Sequence, residues 1–127
     1  MYKEFIISIF IIILIFIGDF VTQSYTKKNV EDLSKMLSNL KNNLEQKNEN
    51  EALENIEGIS NKLDEVHNIL AYYIEHDEIE KIETGFTACE SFAKTGDYNL
   101  AISELEKTEF ALGHITDKYS FTLENIF

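Results

Sequence analysis

"FIISIFIIILIFIGDFV", Phe5 to Val21, constrains this chain more than any other stretch, because a run so apolar needs either lipid or a large core to cover it. From Phe5 to Ile17 only Ser8 is polar. As a helix the run spans about 25 Å at 1.5 Å per residue, the short end of what crosses a bilayer. Tyr2 and Tyr25 flank it where aromatic rings with polar tips settle at membrane interfaces, and Asp19 lies toward one boundary. The membrane-facing residues are Phe5, Ile6, Ile7, Ile9, Phe10, Ile11, Ile12, Ile13, Leu14, Ile15, Phe16 and Ile17.

Three fates are open to such a segment: a retained anchor, a cleaved leader, or a buried core helix. Lys3 ahead of an apolar core fits a leader, but Thr22-Gln23-Ser24 is a poor cleavage site and the run is more apolar than many leader cores. A retained anchor is the reading adopted. Residues 1–28 then form the anchor and a short juxtamembrane link, and residues 29–127 a helical domain. Lys27, Lys28 and Lys35 follow the run and by charge counting favour a cytoplasmic domain. The very short segment before the run and its leader-like start favour export, and an extracytoplasmic domain is expected.

Beyond the run, the chain has no Pro, no Trp, no Arg and 5 Gly among 127 residues, so little interrupts a helix. Val30, Leu33, Leu37, Leu40 and Leu44 make a first apolar stripe, with Asn29 as its expected cap. Leu53, Ile56, Ile59 or Ser60, Leu63, Val66 or His67, Leu70 and Tyr73 or Ile74 make a second. Ile79, Ile82, Phe86, Cys89 and Phe92 or Ala93 make a third, with Asp77 as cap. Tyr98, Ala101, Ile102, Leu105, Phe110 and Leu112 make a fourth, opened by Gly96 and Asp97 and closing at 114–118, after which the tail docks on the bundle. The expected fold is all-α: a transmembrane helix followed by an antiparallel four-helix bundle. "FAKTGDYNLAISELEKT", Phe92 to Thr108, resembles the middle of a tetratricopeptide repeat, and "KNENEALENI" echoes it without the Gly. Two units fall short of the three such arrays need.

A formal charge of -12, with no basic cluster beyond Lys27-Lys28, excludes a nucleic-acid surface and repels anionic headgroups. Cys89 is a lone cysteine on an apolar stripe and reads as a small buried hydrophobe. Asp64-x-x-His67 places two ligand types on one helical face, but a di-metal bundle needs a second such segment and further carboxylates. His76 and His114 sit at helix ends that an antiparallel bundle brings to one pole, where they suit a single metal ion or a pH response; helix-end or carboxylate bonding explains them as well. There is no nucleophile with its base, no phosphate loop and no HExxH, so enzyme activity and a cofactor are not expected.

The N-terminal anchor, "HDEIEKIE" from His76, "HI" at His114-Ile115 and the ending "LENIF" resemble an uncharacterised bacterial family, domain of unknown function 4363. The resemblance spans the whole chain and implies a small single-pass or leader-bearing helical protein of the cell envelope. It carries over no catalytic residues. The chain departs from the family pattern at "KNENEA", where an aromatic is absent. The expected function is that of a membrane-tethered, non-enzymatic interaction or accessory subunit of a bacterial envelope assembly; an extracytoplasmic sensor using His76 and His114 is the alternative. Its partners would be the bilayer, an unidentified envelope protein, and a second copy if the first stripe serves self-association. Contact candidates are Tyr72, Tyr73, His76, Tyr98, Tyr119, Phe121 and Phe127, drawn from the hairpin turns and the tail.

Overall fold

The computed structural model describes residues 2–126, with the side chains of Tyr73 and of 118–126 left aside. Four helices and no strand make up the described residues: α1 Tyr2–Glu45, α2 Glu49–Tyr73, α3 His76–Lys94 and α4 Tyr98–Ile126. Each helix packs on two others, α1 on α2 and α4, and α3 on α2 and α4, closing a bundle around one core.

α1 is a single 44-residue helix that contains both the apolar run and the first core stripe. Residues 2–21 are exposed throughout, and coverage starts at Thr22, one residue past the run. Asn29 therefore does not cap a helix. It lies mid-helix and 6% exposed, where its amide donates to the Tyr25 carbonyl at 2.9 Å and its Oδ1 accepts from Lys62 Nζ of α2 at 2.5 Å. Asn43 Nδ2 donates to Asn55 Oδ1 at 2.5 Å near the other end of the same pair. A polar contact at each end fixes how α2 registers on α1.

The buried positions repeat with a shift of 49 residues. Val30, Leu33, Leu37, Leu40 and Leu44 of α1 are matched by Ile79, Ile82, Phe86, Cys89 and Ala93 of α3. Ala52, Ile56, Ile59, Leu63 and Val66 of α2 are matched by Ala101, Leu105, Thr108, Leu112 and Ile115 of α4. The turns match too. Lys47 (φ 59) and Gly96 (φ 79) are the left-handed residues after α1 and α3. Each sits in the same double bond pattern: Asn48 N to Asn43 O at 2.9 Å with Lys47 N to Leu44 O at 3.2 Å, and Asp97 N to Phe92 O at 2.9 Å with Gly96 N to Ala93 O at 3.2 Å. Both are Schellman terminations, which satisfy the last helical carbonyls. Asp97 then caps α4, accepting from the Leu100 amide at 3.3 Å. The bundle is thus two successive helix–turn–helix units built to one pattern.

Four expectations change. Thr108, 1% exposed, occupies the core position and Phe110 is 79% exposed, because the α4 stripe steps 101, 105, 108, 112, 115 and Phe110 falls two residues off it, on the far side of the cylinder. Thr108 fits because Gly85 of α3 lies against its hydroxyl, which donates to the Glu104 carbonyl at 2.9 Å; a side chain at Gly85 would collide with it. Leu53 is exposed for the same reason as Phe110, with Ala52 on the stripe. Asp77 is in the first turn of α3, whose cap position is Glu75, and its charge there favours the helix N-terminus without capping it. α4 continues to Ile126, since nothing after Gly113 breaks a helix.

Lys47 takes a conformation that costs an L-residue about 1 kcal/mol and glycine little. Lys47→Gly is expected to raise the melting temperature by a few degrees and Gly96→Ala to lower it by a similar amount, roughly 1 kcal/mol each, measured by circular dichroism in detergent. Equal melting of both variants and the native chain would refute the shared-turn account.

Candidate functional site

The contact candidates divide between the ends of the bundle. Tyr72, 86% exposed, ends α2, and His76 opens α3 with its ring 4.0 Å from Glu80. Tyr98 opens α4 and packs partly against the core. The length of α3, about 28 Å, separates His76 from Tyr98, so the candidates do not form one surface. The side chains of Tyr73, Tyr119 and Phe121, and all of Phe127, lie outside the described residues. The apolar run from Phe5 to Ile17 is exposed along its whole length, and its one hydroxyl, on Ser8, donates to the Glu4 carbonyl at 2.9 Å.

His114 and His76 come to the same end of the bundle: the His114 ring is 4.0 Å from Glu78, in the first turn of α3. Each ring meets one carboxylate. Among the described residues no three His, Cys, Asp or Glu side chains converge as a metal site. Burial pushes the Cys89 thiol up to about 12, with Glu104 and Glu90 adding to the effect, so the sulfur is a neutral core atom at ordinary pH.

A groove of about 380 Å³ opens between α2 and α3, lined by Ser60, Leu63, Asp64, His67, Glu83, Phe86, Thr87 and Glu90. His67 Nδ1 and Glu83 Oε1 meet across it at 2.5 Å, tying the two helices together. Acid–base or nucleophilic chemistry needs a reactive group within hydrogen-bond reach of such a pair. Ser60 lies two turns along α2, about 10 Å away, and the Thr87 hydroxyl is occupied by the Glu83 carbonyl at 2.8 Å. The geometry supplies a helix-bridging contact.

The repeat explains why the groove is there. The α1–α4 junction is its counterpart, and Lys41 of that junction bridges to Glu106 at 3.3 Å. Glu106 raises the Lys41 ammonium above its ordinary value by hydrogen bonding and by its charge. Forty-nine residues on, Lys41 corresponds to Glu90, and Glu57 of α2 corresponds to Glu106. A cation is thus replaced by a carboxylate opposite another carboxylate, and Glu90 turns to Lys94 of its own helix at 2.8 Å. The α2–α3 junction lacks a bridge at these positions and is joined instead by His67 and Glu83. Apolar periodicity alone could not locate this groove; the charge exchange between equivalent positions was the usable signal.

A family described as domain of unknown function (DUF4363) matches residues 20–126, more than four fifths of the chain and the whole bundle. The chain belongs to this family. The family match starts in the last turn of the apolar run, at Phe20, so the shared part is the bundle with the helix that enters it. No curated protein and no solved structure matches the chain.

Burial holds the Glu109 carboxyl above the ordinary carboxylate value of 4.5; Lys41 opposes this, while Glu106 and Glu45 reinforce it. A carboxyl raised by folding destabilises the fold when ionised, fully above its folded value and not at all well below 4.5. Glu109→Gln is therefore expected to raise the melting temperature by roughly 1–3 °C at pH 7, with the gain vanishing near pH 4. A gain independent of pH would show that the charge is not its source.

Proposed function

We propose that this chain is a membrane-tethered, non-enzymatic helical domain that works by protein interaction, as an accessory subunit of a bacterial envelope assembly. The observation that carries the reading is the continuity of α1, which exposes an apolar surface from residue 2 to 21 and enters the core without a break. Exposed apolar surface of that extent is stable in lipid and not in water. The polar groups near its ends suit that setting: the hydroxyls of Thr22 and Thr26 donate to carbonyls one turn back, at 2.7 and 2.8 Å. Helix continues through Thr22-Gln23-Ser24, where removal of a leader would call for an extended chain, and this favours a retained anchor.

The contacts between helices support an antiparallel arrangement. Asn29 pairs with Lys62 and Asn43 with Asn55, so numbering rises along α1 as it falls along α2. Gly85 meets Thr108 and Glu78 meets His114, the same opposition between α3 and α4. The two hairpins share the small-residue approach of tetratricopeptide units but close on each other, which suits a plug or strut more than an open peptide-binding array. In this reading the domain lies outside the cytoplasm. Tyr72 and His76 lie at the turn of one end and Tyr98 at the turn of the other.

Expressed with a C-terminal tag in a Gram-positive host, the chain is expected to stay full length and resist alkaline carbonate. It is also expected to be digested by protease added to whole protoplasts, and to run in mild detergent as a complex larger than the 14.7 kDa chain. A shortened, washable product would refute the anchor. Full-length protein protected in protoplasts would refute the external placement, and a monomer in mild detergent would refute the subunit role.

A further inference from the structure

We infer that the bundle end formed by the α2–α3 turn rests on the bilayer surface, so that the domain stands upright on the membrane at a fixed height. This rests on the anchor reading above and adds a second contact to it, with the lipid headgroups.

The argument is one of register. Gly58 of α2 lies beside Met36 of α1, a Cβ built on the glycine falling 3.5 Å from the Met36 terminal methyl. Tyr72 is fourteen residues further along α2, and fourteen residues back along α1 is Thr22. Counting instead from the Asn43–Asn55 bond brings Tyr72 level with Thr26. Either way the end of α2 lies within about 8 Å of Val21, the last residue of the apolar run.

There is also no room for a spacer. Thr22, Gln23 and Thr26 are already partly covered by the bundle, immediately after a stretch in which every described residue is exposed. If residues 5–21 lie in hydrocarbon, the α2–α3 turn lies in the headgroup layer, a few ångströms above it. Tyr72 is suited to that layer: an amphipathic ring, 86% exposed, at the tip of a helix. The opposite end, with Lys47 and Gly96, then stands about 36–39 Å above the apolar run, the rise of α1 from Val21 to Lys47. Partners that meet the distal turns would do so at that height. The net charge of -12 makes a zwitterionic surface the appropriate lipid.

The chain contains no Trp, so single introduced tryptophans report without background. Three exposed positions serve: Ile12 in the run, Tyr72 at the turn, and Phe110, which counted from Glu106 lies level with Leu37, about 24 Å above Val21. Full-length Ile12→Trp, Tyr72→Trp and Phe110→Trp would each be placed in phosphatidylcholine vesicles carrying nitroxides either deep in the acyl chain or at the headgroup. Deep nitroxides are expected to quench the larger part of emission at position 12, and headgroup nitroxides that at position 72, with position 110 unaffected by either. Quenching at 12 but not at 72 would overturn the resting contact while leaving the anchor intact. No quenching at 12 would refute the anchor itself and with it the contact. Headgroup quenching at both 72 and 110 would mean a domain lying flat, and would also overturn the proposal.

Discussion

The structure depends on one constraint: a single helical cylinder carries two kinds of surface. Through its first part α1 is apolar all round, and through its last four turns it is apolar on one stripe. Because no residue between Val21 and Val30 breaks the helix, the rotational phase and the axial position of the stripe are set by the apolar run. Everything packed on that stripe inherits its position. Asn29 marks the changeover, since it is satisfied inward by Lys62 and back along its own helix by the Tyr25 carbonyl, so a buried amide costs little there.

The second organising feature is the repeated hairpin. Two copies of one stripe-turn-stripe pattern, 49 residues apart, cover each other's apolar faces, which explains how a short chain with a single cysteine closes a core. The copies differ where the design permits. Lys47 takes the strained turn position that Gly96 fills at no steric cost. The glycine on α3, Gly85, allows a close approach to Thr108, whereas a Cβ at Gly58 on α2 would make ordinary contact with Met36. The largest difference is in charge, where Lys41 joins α1 to α4 and its counterpart Glu90 leaves α2 and α3 parted by a groove.

Much of this was legible in the residues. The apolar run, the four stripes, the Gly96-Asp97 turn and the burial of Cys89 follow from periodicity and from the few breakers present. Other features were not. An Asn before a leucine-rich stripe reads locally as a cap, and only Lys62, thirty-three residues away, makes it a helix interior. Phe110 outranks Thr108 in hydrophobicity, yet register chose Thr108 because Gly85 left a space of its size. Lys47 carries no sign of a left-handed turn until its bonding is compared with that around Gly96. The candidate contacts were harder still, since aromatic residues at turns look alike in sequence whether they share a surface or lie at opposite ends of the bundle.

The continuity of α1 is the central claim, and a spin-label distance across the junction of apolar run and bundle tests it most directly. Labels on cysteines placed at Ile15 and Asn42, both exposed, in the full chain with Cys89→Ala, span twenty-seven residues of one helix. In phosphatidylcholine nanodiscs, double electron–electron resonance should give one narrow distribution centred near about 40 Å. A broad distribution, or a centre shorter by about 10 Å or more, would mean a hinge between run and bundle and would contradict the account.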